Sequence, residues 1–185
     1  MSKLRIVVSG LIAQYPLGGV AWDYVQYPAG FAALGHDVYY LEDTGLWPYN
    51  PEEGGVSKGC DYNVAYLRRV MERFGLADRW AYRFPHPDPG VWYGLPDERR
   101  REVLATADLL INVSGTLNAP SAHRGSGRLV YIDSDPVFTQ VKLAKGETSL
   151  QTLMAAHDVL FSFGEALPGA TPTVQTETSD ISTLI

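Results

Sequence analysis

Polar residues follow several apolar runs of this chain, at positions where the strands of a sheet would end. Asn112 and Ser114 lie at the end of the run LLINV, and Asp133 and Asp135 follow the run RLVYI. The pair Gly18–Gly19 precedes a stretch with helical spacing. Carboxylates, amides and hydroxyls can recognise the hydroxyl groups of a ligand. The unpaired N–H groups of a helix N-terminus can receive an anion or a sugar hydroxyl.

The same residues also have structural interpretations. Asn112 and Ser114 could satisfy backbone groups where a strand turns into a loop, and we favour a simple turn for the two aspartates before Pro136. Glu42 and Asp43 end another apolar run, either as ribose-binding acids or as acids that face solvent. Because the spacing GxGxxG is absent, a nicotinamide cofactor is disfavoured.

The elements that must position these residues alternate between strand and helix. Apolar runs and helical spacing predict strands at residues 4–9, 36–43, 80–85, 109–113, 128–132 and 159–163, and helices over about 20–34, 61–74, 96–107 and 149–156. Pro28 predicts a kink or a two-part first helix. Segment 44–60 predicts a long irregular loop. The alternation favours an α/β fold, a Rossmann-like doubly wound and mainly parallel sheet with helices on both faces.

Ligands of open parallel sheets bind beyond the carboxyl ends of the strands. Under this fold, four loops meet at that edge, and they carry or directly follow the polar residues described above. The loops are residues 9–23, 43–61, 114–127 and 133–140. We therefore expect a small-molecule site there.

Composition excludes several classes of function. The formal net charge of −6 gives no electrostatic support for nucleic-acid binding. No apolar run approaches the roughly 20 residues that span a bilayer, so we expect no membrane span and a cytoplasmic location. Cys60 is the single cysteine, which excludes an intrachain disulfide, and the four histidines show no metal-binding spacing.

Two segments resemble the opening of the glycosyltransferases with the GT-B fold. They are Gly18-Gly19-Val20 and Leu34-Gly35-His36-Asp37-Val38. In that family a glycine pair begins the first long helix, and a strand entry of the form G-H-x-V follows at this distance. The segment from Tyr131 to Pro136 also resembles a strand-end segment of bacterial proteins of this type. It is not the DxD metal motif, which belongs to a different glycosyltransferase fold.

The resemblance implies a role for Asp23. Many family members carry an active-site histidine four residues after the second glycine, near the acceptor hydroxyl, and this chain has Asp23 at that position. A carboxylate could act there as the general base if burial or neighbouring groups adjusted its pKa. The alternative is a first-turn aspartate that complements the helix dipole.

The resemblance covers about residues 4–165, one lobe of the two-lobed GT-B architecture. It implies that residues 1–167 form an N-terminal domain for a small-molecule acceptor, followed by a linker or tail over 168–185. The nucleotide-sugar donor would bind mainly to a second lobe, so the chain alone would be inactive and would hold no cofactor of its own. The alternative is a stand-alone Rossmann-like module that binds a nucleotide or small metabolite without catalysis.

Two further groups of side chains favour structural roles. The aromatic residues Trp22, Trp47, Tyr49, Trp92 and Tyr93 could stack on a sugar or an aromatic aglycone, although packing in the core or in a lid is the favoured role. The run ERRRE at residues 98–102 predicts a solvated helix face.

Overall fold

The fold is an α/β arrangement in which a seven-stranded sheet carries helices on its faces. A computed structural model describes residues 2–164. The strands are β1 (Arg5–Ser9), β2 (Asp37–Glu42), β3 (Tyr49–Asn50), β4 (Gly55–Val56), β5 (Trp80–Phe84), β6 (Val91–Gly94), β7 (Leu109–Val113), β8 (Arg128–Asp133) and β9 (Val159–Ser162). The helices are α1 (Gly18–Ala33), α2 (Asp61–Arg73), α3 (Asp97–Thr106), α4 (Pro120–His123), α5 (Pro136–Ala144) and α6 (Thr148–Ala155).

The strand order of the main sheet is β6-β5-β2-β1-β7-β8-β9, while β3 and β4 form a separate two-stranded sheet. All neighbouring pairs of the main sheet are parallel except β5 and β6. The chain moves outward from β1 through β2 to β5, then crosses to β7 on the other side of β1 and continues to β9. The order therefore reverses at β1 and β7. This topology confirms the predicted mainly parallel, Rossmann-like sheet.

Alternation along the central strands builds a core on each face of the sheet. In β1, Ile6 and Val8 belong to the core cluster that includes Tyr24 of α1 and Leu67 of α2. Val7 belongs to the second cluster, which contains Val103 of α3 and residues of β2 and β7. Because central parallel strands are buried on both faces, their sequences are continuous apolar runs, which is why they were predictable.

Three segments differ from the sequence-based expectations. The loop predicted over 133–140 is wrong beyond Asp135, because α5 begins at Pro136. The segment after β5 contains β6, which pairs antiparallel with β5. The long loop over 44–60 contains the short β3–β4 hairpin.

The first helix is also simpler than expected, since α1 runs without interruption from Gly18 to Ala33 although Pro28 lies inside it and is buried. The tail predicted over 168–185 lies outside the described residues. Among the described residues, no helix is both long enough and apolar enough to cross a membrane.

Two glycines provide a matched test of the packing. A Cβ at Gly127 would collide with the backbone carbonyl oxygens of Ala107 and Asp108, whereas a Cβ at Gly30, exposed in α1, would meet no atom within 4 Å. We expect Gly127→Ala to lower the free energy of unfolding by about 1–3 kcal/mol, because the backbone must shift. Gly30→Ala should raise it by about 0.5–1 kcal/mol through helix propensity. Urea denaturation of both variants checks the pair, and equal effects would contradict the described packing.

Candidate functional site

Two consecutive acids at the end of β2 are both buried, and they face opposite sides of the sheet. Glu42 is 0% exposed and Asp43 is 4% exposed. Successive side chains of a strand alternate between faces. Glu42 accordingly bonds to the segment between β1 and α1, and Asp43 to residues of β5 and α4. Of the two alternatives, the one in which these acids face solvent does not hold, and neither carboxylate is free to bind a ribose as an exposed acid would be.

Glu42 fixes the start of the segment that leads into α1. Its Oε2 accepts hydrogen bonds from the backbone N–H of Ala13 at 2.9 Å and from Tyr40 Oη at 2.7 Å, and its Oε1 accepts from the N–H of Gln14 at 2.5 Å. The N–H of Ile12 donates to Tyr40 Oη at 3.1 Å. Three successive backbone donors are thus satisfied by two side chains of β2, which sets the path of the chain towards Gly18.

Asp43 joins two other segments on the opposite face. Its carboxylate accepts from Arg83 Nη1 at 3.1 Å and from His123 Nε2 at 3.0 Å, and its backbone carbonyl accepts from the N–H of Asn118 at 2.9 Å. Burial by itself would raise the pKa of Asp43, but the hydrogen bond and charge of His123, together with Arg83, outweigh burial and lower it. The carboxylate therefore stays ionised and ties the segment after β7 to the end of β2.

The pairing with Asp43 orients the imidazole of His123. An ionised carboxylate only accepts hydrogen bonds, so Nε2 carries a proton and donates it to Asp43. Nδ1 has no hydrogen bond to the described residues, and the side chain is 11% exposed. A carboxylate-oriented imidazole with an accessible nitrogen is a competent proton acceptor.

An aromatic and a guanidinium adjoin this pair. The ring of Trp92 contacts His123 edge-on at 6.1 Å between centroids, and the guanidinium of Arg100 lies 3.9 Å from the centroid of Trp92. Arg100 is only 9% exposed, so the prediction of a solvated face for residues 98–102 is wrong at this position. Its Nη1 is buried without a partner among the described residues.

Asn112, predicted to bind ligand, is fully buried within a hydrogen-bond network. Its Oδ1 accepts from Ser9 Oγ at 3.2 Å and from the N–H of Leu117 at 3.1 Å, and its Nδ2 donates to His157 Nε2 at 3.1 Å. Burial lowers the pKa of His157, which keeps the ring neutral, and Nδ1 donates to the carbonyl of Leu153. These contacts occupy both the oxygen and the nitrogen of the Asn112 amide. The side chain therefore links β7 to β1 just below the carboxyl edge of the sheet.

Ser114 lies at the edge itself, in a strained backbone conformation. Its φ of +56° is followed by +68° at Gly115, and Ser114 is the one non-glycine residue with positive φ in the described part of the chain. Its hydroxyl contacts that of Ser134, which follows β8, and the buried Tyr24 of α1 lies nearby. Strain at a strand end marks a position that the surrounding structure holds in place. Ser114 thus lies where α1, β7 and β8 meet.

The two aspartates after β8 have different surroundings. Asp133 is 5% exposed, and its carboxylate accepts from Thr139 Oγ1 at 2.7 Å and from Ser162 Oγ at 3.1 Å. It also lines a small cavity with residues of α5 and β9. Asp135 is exposed and caps α5 by accepting from the N–H of Phe138 at 3.4 Å. Both carboxylates therefore have structural partners, and Asp135 starts a helix rather than a simple turn.

The predicted base and the glycine pair lie on α1. Gly18 and Gly19 are the exposed first two residues of the helix, whose start has no side-chain cap. Asp23 is exposed one turn further on, and its carboxylate has no hydrogen bond to the described residues. The neighbouring Tyr24 points inward to Ser114. The structure thus brings the helix start to the same edge as Ser114, while the carboxylate of Asp23 has no described partner that would position it.

The aromatic residues mostly pack against other side chains. Trp47 stacks on His86 with 3.9 Å between ring centroids, which favours its interpretation as part of a packed loop. Trp22 is 64% exposed on α1, beside Asp23. Within residues 2–164, no group of three His, Cys, Asp or Glu residues is placed to hold a metal ion.

Comparison of the chain with protein-family models, curated proteins and solved structures found no match.

Sequence reasoning missed the Asp43–His123 pair, which is separated by 80 residues. No local pattern links these two positions. The position of Asp43 at the carboxyl end of a predicted strand was a usable signal, because that is where ligand sites of parallel sheets form.

Asp43→Asn tests the role of this carboxylate in holding the edge. The amide keeps the shape but removes the charge that Arg83 and His123 face, so we expect the free energy of unfolding to fall by about 1–3 kcal/mol. Asp135→Asn is the matched control, because asparagine caps helices as well as aspartate does, and its effect should stay within about 0.5 kcal/mol. Urea denaturation at neutral pH measures both. Equal stability of the two variants would show that Asp43 does not hold the edge together.

Proposed function

We propose that this domain is the acceptor-side lobe of a glycosyltransferase-like protein, which binds a hydroxyl-bearing small molecule at the carboxyl edge of its sheet. One observation carries the proposal. The segments after β1, β2, β7 and β8 meet at the edge where the strand order reverses, the usual ligand position in this architecture. The class of reaction rests on the resemblance of the segments around Gly18–Gly19 and residues 34–38.

The groups left available at the edge suit a neutral, hydroxyl-bearing ligand. The uncapped start of α1 offers the backbone N–H groups of its exposed first residues, and the half-buried hydroxyls of Ser114 and Ser134 lie between α1 and β8. Asn112 and Asp133 support this edge from below, since their polar atoms bond to other residues of the domain. In this proposal they position the ligand-binding loops without contacting the ligand.

In sugar transfer, a base takes the proton of the acceptor hydroxyl while its oxygen attacks the anomeric carbon and the nucleotide leaves with the bonding electrons. Two candidate bases lie near the edge. Asp23 is supported by the resemblance, and its carboxylate is exposed and so accessible. His123 is supported by geometry, because Asp43 orients the ring, would stabilise the imidazolium that forms, and leaves Nδ1 without a hydrogen bond to the described residues. Donor binding and transfer would require a second lobe.

Calorimetric titration of the purified chain tests this function. We expect UDP-, dTDP- and GDP-sugars and the free nucleotides to bind weakly or not at all, since the donor site would belong to another lobe. An aryl glycoside, used as a probe with hydroxyl groups and an aromatic face, should bind measurably, and Ser114→Ala should weaken its binding. Ser121→Ala, an exposed serine of α4, is the control.

Micromolar or tighter binding of a nucleotide or nucleotide-sugar would contradict the acceptor-lobe proposal. That result would favour a stand-alone module that binds a nucleotide without catalysis.

A further inference from the structure

Glu42 is a fully buried carboxylate that has hydrogen bonds but no counter-charge. It takes part in none of the ion pairs of the described residues. The titratable groups of residues 2–164 that interact with its charge are phenols, namely Tyr24 from α1, Tyr40 from β2 and Tyr82 from β5. The helix α2 contributes Asn63, which is neutral and bonds to the carbonyl of Ala13. In this part of the chain, no cation forms an ion pair with Glu42 to offset the cost of removing its charge from water.

Two opposing effects act on this carboxyl group. Burial without a cation favours the protonated form, whereas the N–H groups of Ala13 and Gln14 and the hydroxyl of Tyr40 match an ionised carboxylate. Burial is the larger effect, and it raises the pKa of Glu42 to about 7. The carboxyl group therefore changes its charge near neutral pH while it remains inside the fold.

The segment that Glu42 holds is the one that precedes the helix start. Residues 11–17 connect β1 to α1, and the backbone of Ile12, Ala13 and Gln14 is attached to β2 through Glu42 and Tyr40. The segment is also attached through the Gln14 side chain, whose Nε2 donates to the carbonyl of Trp47 at 2.7 Å. If residues 11–17 lift away, water reaches Glu42, and the group then ionises as an ordinary glutamate does.

We propose that Glu42 is a proton-controlled latch, which holds residues 11–17 closed more firmly under mildly acidic conditions than above neutrality. The closed state retains a proton that the open state releases, so rising pH favours opening by linkage. The equilibrium constant for opening rises by at most about tenfold per pH unit. This rise occurs between the ordinary pKa range of a glutamate and about pH 7, and above that pH the constant no longer changes. The latch would set the position of the α1 start by pH, whatever ligand the edge binds.

Amide hydrogen exchange of Ala13 and Gln14, measured by NMR from pH 5 to pH 8 and corrected for intrinsic exchange, tests the latch. In the wild-type protein, protection should fall as pH rises to about 7 and then level off. In Glu42→Gln, which cannot ionise, protection should not change with pH. Glu72→Gln is the matched control, because Glu72 is exposed on α2, and it should keep the wild-type profile. Wild-type protection that is independent of pH, or an unchanged slope in Glu42→Gln, would overturn the proposal.

A second measurement needs no variant and covers the case in which Glu42→Gln does not fold. A ¹³C-carboxyl NMR titration of the wild-type protein should show one glutamate with a midpoint near pH 7. Titration of every glutamate in the ordinary range would overturn the proposal.

Discussion

The candidate site depends on the way in which the end of β2 places two neighbouring acids on opposite faces of the sheet. Strand alternation directs Glu42 towards the segment before α1 and Asp43 towards Arg83 and His123. Both acids are buried, and each satisfies donors from a different loop. The segments that follow β1 and β7 are therefore attached to two consecutive residues at the end of β2, and this edge of the sheet takes its shape from that pair.

At the carboxyl edge of the sheet, some polar residues hold the loops in place, while others have groups that are free to contact a ligand in the proposed function. Asn112 and Asp133 have hydrogen-bond partners for their polar atoms and act as braces. Ser114, the exposed glycines at the start of α1 and Nδ1 of His123 are the groups that the proposed function leaves for a ligand. The sequence alone could not make this separation, because a polar residue at a strand end is equally compatible with either role.

Much of the fold was predictable from the sequence, because buried parallel strands have short, continuous apolar sequences. These alternate along the chain with segments whose apolar residues recur at helical spacing. The antiparallel β6 was missed, since it lies in a segment rich in proline and glycine whose pairing depends on contacts with β5. The start of α5 was missed because Asp135–Pro136 suits a turn as well as a capped helix. The burial of Arg100 depends on Trp92, which comes from another element and leaves no periodic signal. The pairing of Asp43 with His123 is likewise a tertiary contact.

The central claim is that each acid at the end of β2 holds its own loop. Segment-resolved hydrogen exchange of the wild-type protein, Glu42→Leu and Asp43→Asn at a single pH of about 6 tests it most directly. The account predicts that Glu42→Leu, which removes both acceptor oxygens, loses protection in residues 11–17 and retains it in 114–127, and that Asp43→Asn shows the reverse. Loss of protection in both segments in each variant, or in neither segment, would contradict the account.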